Sequence, residues 1–325
     1  MLMPNQRCVI AICALLLSAV LAQAQSKVVA YVPNWIDLGA FAKTIDYSRL
    51  THVNVAFENP VNGEGELSFN PDNKVLIEKA RAAGVKVLVS IGGGSASSEK
   101  KMRQRYFDLL KKARRSKFAA QFADYVVSHG FDGLDVDLEG PAINEDYGAF
   151  IDELATLLKP KGKLLTAALS QGYGGDNVPA SVFAHFDFVN IMAYDATGPW
   201  DKEGSGQHSS LDFARSNVAW WLKRGLPKSK AVLGVPFYGY GFGKAYKSDE
   251  YSYADIIAAH PGAEKKDQVG ETIWYNSIPT IKAKTQLVLD QDLAGIMIWS
   301  LNSDAPGDHS LLKAIDETLS PKSRQ

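Results

Sequence analysis

Cysteine is almost missing from this 325-residue chain. There are two, Cys8 and Cys13, and both lie in an N-terminal stretch that reads as a targeting segment. "MLMPNQR" supplies a basic start, "CVIAICALLLSAVLA" (8–22) is apolar, and the small-residue triplet "AQA" ends at Ala24. This pattern predicts a secretory signal peptide over 1–24, cleaved after Ala24. The other reading, a membrane anchor, wants about 20 consecutive apolar residues, and this run is shorter. Neither cysteine has the small residues before it that a lipoprotein cleavage site requires. With the segment removed, residues 25–325 hold no cysteine, so disulfides are excluded as a source of stability even in an oxidising compartment.

Charge of one sign is also missing. Lys and Arg number 35 against 36 Asp and Glu, a net charge of −1, which excludes a global field for nucleic acid or an anionic membrane. The basic run "KKMRQRYFDLLKKARR" (100–115) lacks the aromatic interleaving of a nucleic-acid surface and reads as a solvated helix face. The six histidines are scattered without ligand spacing, so no metal is expected. No Lys-Ser/Thr pair follows the glycines of "SIGGG" (90–94), so they are no phosphate cradle, and no cofactor is expected. After Ala24 there is no long Pro/Ser linker, low-complexity block or appended module. "SPKSRQ" reads as a frayed tail. One domain over 25–325, acting as a monomer, is the expectation.

What is present is an ordinary globular composition, 46% hydrophobic and 22% charged. Apolar, β-branched runs recur: "KVVAYVP" (27–33), "LTHVNVAF" (50–57), "VKVLVSI" (85–91), "FDGLDVDL" (131–138), "KLLTAALS" (163–170), "FDFVNIMAY" (186–194), "KAVLGVPF" (230–237) and "LAGIMIWS" (293–300). Amphipathic stretches such as "DNKVLIEKARAAG" and "KFAAQFADYVVSHG" lie between them, the latter stopped by Gly130. Strands alternating with helices in this number predict an α/β fold, a (β/α)8 TIM barrel. The rival is a doubly wound open sheet. It is weaker because no Gly-rich phosphate loop follows the first strand.

Within "GFDGLDVDLEG" (130–140), Asp135, Asp137 and Glu139 share strand parity. In a barrel they would line the interior, with Glu139 nearest the C-terminal mouth where such barrels place their active sites. Carboxylates about 5–7 Å apart repel by roughly 2–3 kcal/mol at an effective dielectric of 20, and this strand carries no Lys or Arg to offset that. The expected relief is a shared proton, leaving an acid still protonated near neutral pH, as a general acid must be. The opposite facing would put Leu134, Val136 and Leu138 inside, and parity alone does not choose. A calcium loop is disfavoured, since it wants Gly and turns between ligands. Asp132 has the other parity and reads as a turn or cap.

"DGLDVDLE" resembles the DxxDxDxE signature of glycoside hydrolase family 18, the chitinase and endo-β-N-acetylglucosaminidase family. "VVAYVPNW", "LTHVNVAF", "VLVSIGGG" (SxGG at Ser90, Gly92 and Gly93), "VNIMAYD" (MxYD), "LGVPFYGYGF" and "GIMIWSLNSD" resemble its first, second, third, sixth, seventh and eighth strands. By that resemblance Glu139 is the general acid. Asp137 orients the substrate's 2-acetamido group, whose oxygen is the nucleophile. Asp135 shares a proton with Asp137 and is held by Tyr31 and Ser90. Tyr194 takes the acetamide carbonyl, Met192 and Trp299 form the floor of the −1 subsite, and Asp195 lines the cleft. Phe57 packs below that subsite, and Trp35 and Trp200 are candidates for outer subsites. Two departures stand out. Tyr238 matches the family's YxR pattern on strand seven, but Tyr240 stands where the Arg would be. The segment 238–292 is also too short for the sizeable α+β subdomain many relatives insert there, which implies a shallower, more open groove.

The resemblance implies a secreted or periplasmic hydrolase of β-1,4-linked N-acetylglucosamine polymers. Its partner would be chitin or another N-acetylglucosamine-containing oligosaccharide, with no nucleic acid, and no membrane after signal cleavage. Two alternatives are an endo-β-N-acetylglucosaminidase cutting the N-glycan core and a non-catalytic chitin-binding lectin.

Overall fold

Each of the eight apolar runs forms a strand: β1 (Lys27–Pro33), β2 (His52–Ala56), β3 (Lys86–Gly92), β4 (Gly133–Asp137), β5 (Leu164–Leu169), β6 (Phe188–Ile191), β7 (Ala231–Pro236) and β8 (Gly295–Trp299). In the computed structural model, which describes residues 26–201 and 205–320, they pair in parallel and in chain order. β8 returns to β1 and closes the barrel. The signal segment expected over 1–24 lies outside the described residues. Among those described, no helix is long and apolar enough to cross a membrane.

Strand alternation divides the apolar residues into two cores. Val28, Ala30 and Val32 of β1 point outward and join the layer between barrel and helices, with Leu134 and Val136 of β4 and Leu138 just after it. Val29 and Tyr31 point inward with Ala168, Phe188, Met192, Tyr194, Val232 and Met297. The facing of β4 is thereby settled: its leucine and valine pack against helices, and its acids face the interior. Helix Lys112–Ser128 shows how the outer layer is held. It buries Phe118, Phe122 and Val126, one face at a spacing of four, and the chain turns at Gly130 with φ of 77°.

Asp132 is part of the strand frame rather than the site. Its Oδ2 accepts from the Val87 N–H at 2.8 Å, pinning the start of β3 to that of β4. Asp187 does the same for the Leu165 N–H at 2.8 Å. The stretch between β7 and β8 carries more structure than the sequence suggested. Gln268–Val269, Ile273–Trp274, Tyr238–Gly241 and Tyr251–Ser252 form, in that order, a small antiparallel sheet. Helix Tyr253–Ala259 follows its last-named strand, and helix Ile278–Asp290 leads back to the barrel. These two-to-four-residue strands had no periodic run long enough to reveal them.

Candidate active site

Asp135 lies at the bottom of the acid row and is completely buried. Tyr31 and Ser90 donate to its Oδ2 at 2.6 and 2.7 Å, and Thr166 donates to its Oδ1 at 2.6 Å. Asn190 adds a longer bond to Oδ1 at 3.4 Å and another to the Tyr31 hydroxyl at 3.2 Å. Tyr31 and Ser90 were named through the family resemblance. Thr166 and Asn190 were not singled out, although strand parity reaches them: each is a polar residue at an inward position of an apolar strand. Burial raises the pKa of Asp135, and its hydroxyl and amide donors pull it back down.

Asp137 sits above it and is nearly buried. Among the described residues no hydrogen bond joins it to Asp135 in this conformation. The donors on Asp135 occupy both its oxygens, while Asp137 Oδ1 is buried without a partner. Burial, then the charges of Glu139 and Asp135, hold the pKa of Asp137 well above the usual carboxylate range. Glu139 stands at the mouth with an edge open to solvent. Burial, then the negative charge of Asp195, pushes its pKa up to about 7.

Glycine lets β3 come close to this row. The Gly93 N–H donates to the Asp137 carbonyl at 2.7 Å. A Cβ on Gly92 would lie 2.2 Å from that same oxygen, and one on Gly93 would lie 2.4 Å from the Phe57 ring. Both glycines have positive φ, 100° and 70°, where side chains are strained.

Across the mouth, Trp299 ends β8 and stacks on Phe57 at 5.8 Å and 22°; Phe57 in turn stacks on Trp35 at 6.3 Å and 23°. Three near-parallel rings thus step outward from the acid row. Trp35 and Trp200 are 65% and 61% exposed, far more than packing needs, so their positions suit ligand contact. Trp200 stands edge-on to Tyr240 at 5.4 Å. By contrast Trp221 is buried in helix Leu211–Lys223 as core.

Met192 and Tyr194 line the interior on the β6 side. Among the described residues the Tyr194 hydroxyl makes one long contact, 4.0 Å, to the sulfur of Met297. Asp195 follows with φ of 61°, a left-handed conformation that Asp tolerates better than most residues. Its Oδ1 accepts from Tyr238 at 2.5 Å and Tyr240 at 3.1 Å, with His208 Nδ1 at 3.4 Å. Tyr240 therefore reaches the cleft acid after all, but as a neutral donor.

Four residues here had no sequence signal. His208 is fully buried against the rings of Tyr238 and Tyr240. Glu250 is pushed up to about 7 by burial and by Asp195. The exposed Tyr173 ring lies against Gly140, beside the general acid. Glu58 is buried at the end of β2 and accepts from Asn34, Ser68, Asn70 and Asn73. Each owes its place to chain brought in from another loop. No cluster of His, Cys, Asp or Glu among the described residues could hold a metal ion.

A closed parallel barrel with an acid of raised pKa at its C-terminal mouth, facing a platform of aromatic rings, defines a glycosidase of the (β/α)8 class. The chain belongs to glycosyl hydrolases family 18, whose signature matches residues 27–304. Its barrel is similar to that of the chitinase ChiB from the chitin utilization locus of Flavobacterium johnsoniae. That likeness has a TM-score of 0.83 and 36% identity, over 91% of this chain and 94% of that one. Chitinase B of Serratia marcescens is 26% identical over 82% of this chain and 76% of its own length. Probable chitinase 10 of Drosophila melanogaster is 26% identical over 90% of this chain, which spans only 16% of that longer protein.

Proposed function

We propose that this protein is a secreted chitinase that hydrolyses β-1,4 bonds between N-acetylglucosamine units by a substrate-assisted, retaining mechanism. The observation that carries the reading is the graded acid row. Asp135 is saturated with donors, Asp137 has an orphan buried oxygen, and Glu139 holds a proton up to about pH 7 at the mouth.

Glu139 gives its proton to the glycosidic oxygen as the C1–O bond breaks. The 2-acetamido carbonyl oxygen attacks C1 and forms an oxazolinium ring. Asp137 accepts a hydrogen bond from the acetamide N–H, which supplies the partner its buried Oδ1 lacks. An unpaired buried acceptor costs about 1–3 kcal/mol, so pairing this oxygen with the acetamide N–H favours binding of an N-acetylated sugar. Positive charge developing on the oxazolinium offsets the burial and like-charge repulsion that work against a carboxylate at Asp137. Tyr194, whose hydroxyl has so weak a partner, donates to the acetamide carbonyl and orients it. Trp299 carries the sugar on its face. Glu139, now a carboxylate, takes a proton from water, which opens the oxazolinium at C1. Two inversions at that carbon restore the β-anomer.

The test is substrate choice. Chitin oligomers should be cleaved with the β-anomer appearing first, as seen by proton NMR. Cellulose oligomers carry a 2-hydroxyl in place of the internal nucleophile and should be left intact. Efficient cleavage of cellulose oligomers, or an initial α-anomer, would overturn the mechanism. Release of glycans from a glycoprotein in preference to chain cleavage would overturn the choice of substrate.

A further inference from the structure

A lysine lies completely buried in helix Ile278–Asp290, outside every motif above. Lys284 Nζ meets the Ser209 carbonyl at 2.7 Å, Ser209 Oγ at 2.6 Å and Asn276 Oδ1 at 2.6 Å. All three accept. The carbonyl has no proton to give, and the Ser209 hydroxyl spends its own on the Ala193 carbonyl at 2.6 Å. Asn276 turns its Nδ2 toward the Ser209 carbonyl at 2.8 Å, so it presents Oδ1 to the lysine. Three acceptors match the three N–H groups of an ammonium; a neutral amine would leave one of them facing a lone pair.

Burial pushes the pKa of Lys284 down to about 7, against the pull of Asp267. The Asp267 carboxylate is itself taken up by Ser277 and Thr280. Ionic groups on the neighbouring helices pair with one another instead: Asp212 with Arg215, Glu317 with Lys282 and Lys313, Asp316 with Arg49, and Glu264 with Lys265. His208, one residue from Ser209, turns to Asp195. Among the described residues the ammonium therefore has no ion-pair partner and is held chiefly by oxygen dipoles. A buried charge without an ion-pair partner is costly, and packing by itself would be better served by an apolar side chain.

What the lysine joins is specific. Ser209 ends the loop that leaves β6, and its hydroxyl ties that end to Ala193, the residue before Tyr194 and Asp195. The Ala196 N–H closes the same stem on the His208 carbonyl at 3.0 Å. Asn276 follows the small sheet that presents Tyr240 to Asp195. We propose that Lys284 is a positioning residue of the hydrolytic site. Its buried ammonium clamps this stem from behind, so that Tyr194 and Asp195 keep their places beside Glu139 without the lysine touching substrate. The inference rests on the hydrolase reading above.

Lys284→Met keeps the length and removes the charge. On a chromogenic chitobioside it should lower kcat about tenfold or more while KM moves less than about threefold, since the aromatic floor that carries the sugar is untouched and the displaced groups act mainly on the reacting centre. The alkaline limb of the kcat/KM profile should also move to lower pH, because Asp195 no longer stands close enough to raise Glu139. Should that variant fail to fold, Ser209→Ala deletes only the bridging hydroxyl and should show the same limb shift with a smaller loss of kcat. A folded variant with a lower Tm but wild-type kcat and an unmoved limb overturns the positioning role. Wild-type turnover separates the two ideas: an inactive wild type overturns the hydrolase reading, whereas an active wild type with an indifferent Lys284→Met overturns only this one.

Discussion

Glu139 owes its proton to its surroundings. Burial and the Asp195 charge raise its pKa to about 7, so kcat/KM should fall as pH rises through about 7. Asp195→Asn should move that limb to lower pH. The same shift has a stability consequence. A glutamate free in the unfolded chain titrates near 4.3, so between there and about 7 the folded state binds more protons, and stability falls as pH rises. Glu139→Gln does not titrate. It should raise Tm relative to wild type at pH 8 and show no gain near pH 4, while turnover drops by roughly 10²–10⁴-fold. An equal Tm gain at both values would show that Glu139 is not held protonated.

Tyr240 illustrates what a neutral substitute does. It shares Asp195 Oδ1 with Tyr238, at the longer distance of the two. Neither donor cancels the charge of Asp195 as an arginine would, so that charge remains to act on Glu139 and Glu250. Tyr240→Phe removes the weaker of two bonds and should change kcat/KM by less than about tenfold, or ~1.4 kcal/mol. A thousandfold loss would give the hydroxyl a central role.

At the scale of elements, the loops at the barrel mouth are set by polar clamps that sequence patterning does not display. Glu58 is the clearest. Its carboxylate gathers neutral donors from Asn34, Ser68, Asn70 and Asn73, and Asn34 also donates to the Phe57 carbonyl at 2.9 Å. One side chain thus fixes the loop carrying Trp35 against the strand end carrying Phe57. Glu58→Ala strands the buried Asn73 amide at about 1–3 kcal/mol and releases three half-buried donors, so a clear fall in Tm is expected. KM for a hexamer should rise more than KM for a dimer substrate, because the longer chain needs the outer ring. Equal effects on both lengths would deny the clamp a part in substrate binding. Strand positions were readable because period-two alternation is a local property. The small sheet at 238–274 was not, because its strands are too short to carry a period.

At the scale of the whole molecule, the modest elaboration between β7 and β8 leaves the aromatic track from Trp299 to Trp35 bordered by short segments. Internal cleavage of a long chain is the expected outcome. The viscosity of a soluble chitin derivative should fall early, before many reducing ends appear. Steady dimer release at nearly constant viscosity would oppose it.

The sequence by itself determined the barrel and the place of the acid row within it. Alternation, turn residues and motif spacing act over a few neighbours, and Asp135, Asp137 and Glu139 lie within five positions of one another. Tertiary structure alone decided which way β4 faces, since either parity is self-consistent until helices cover Leu134, Val136 and Leu138. It alone filled both oxygens of Asp135 with donors, because these come from β1, β3, β5 and β6. And it alone brought Lys284 to Ser209, 75 positions away in the chain. A charge in a core has no sequence pattern. Its meaning lies in the oxygens that folding collects around it.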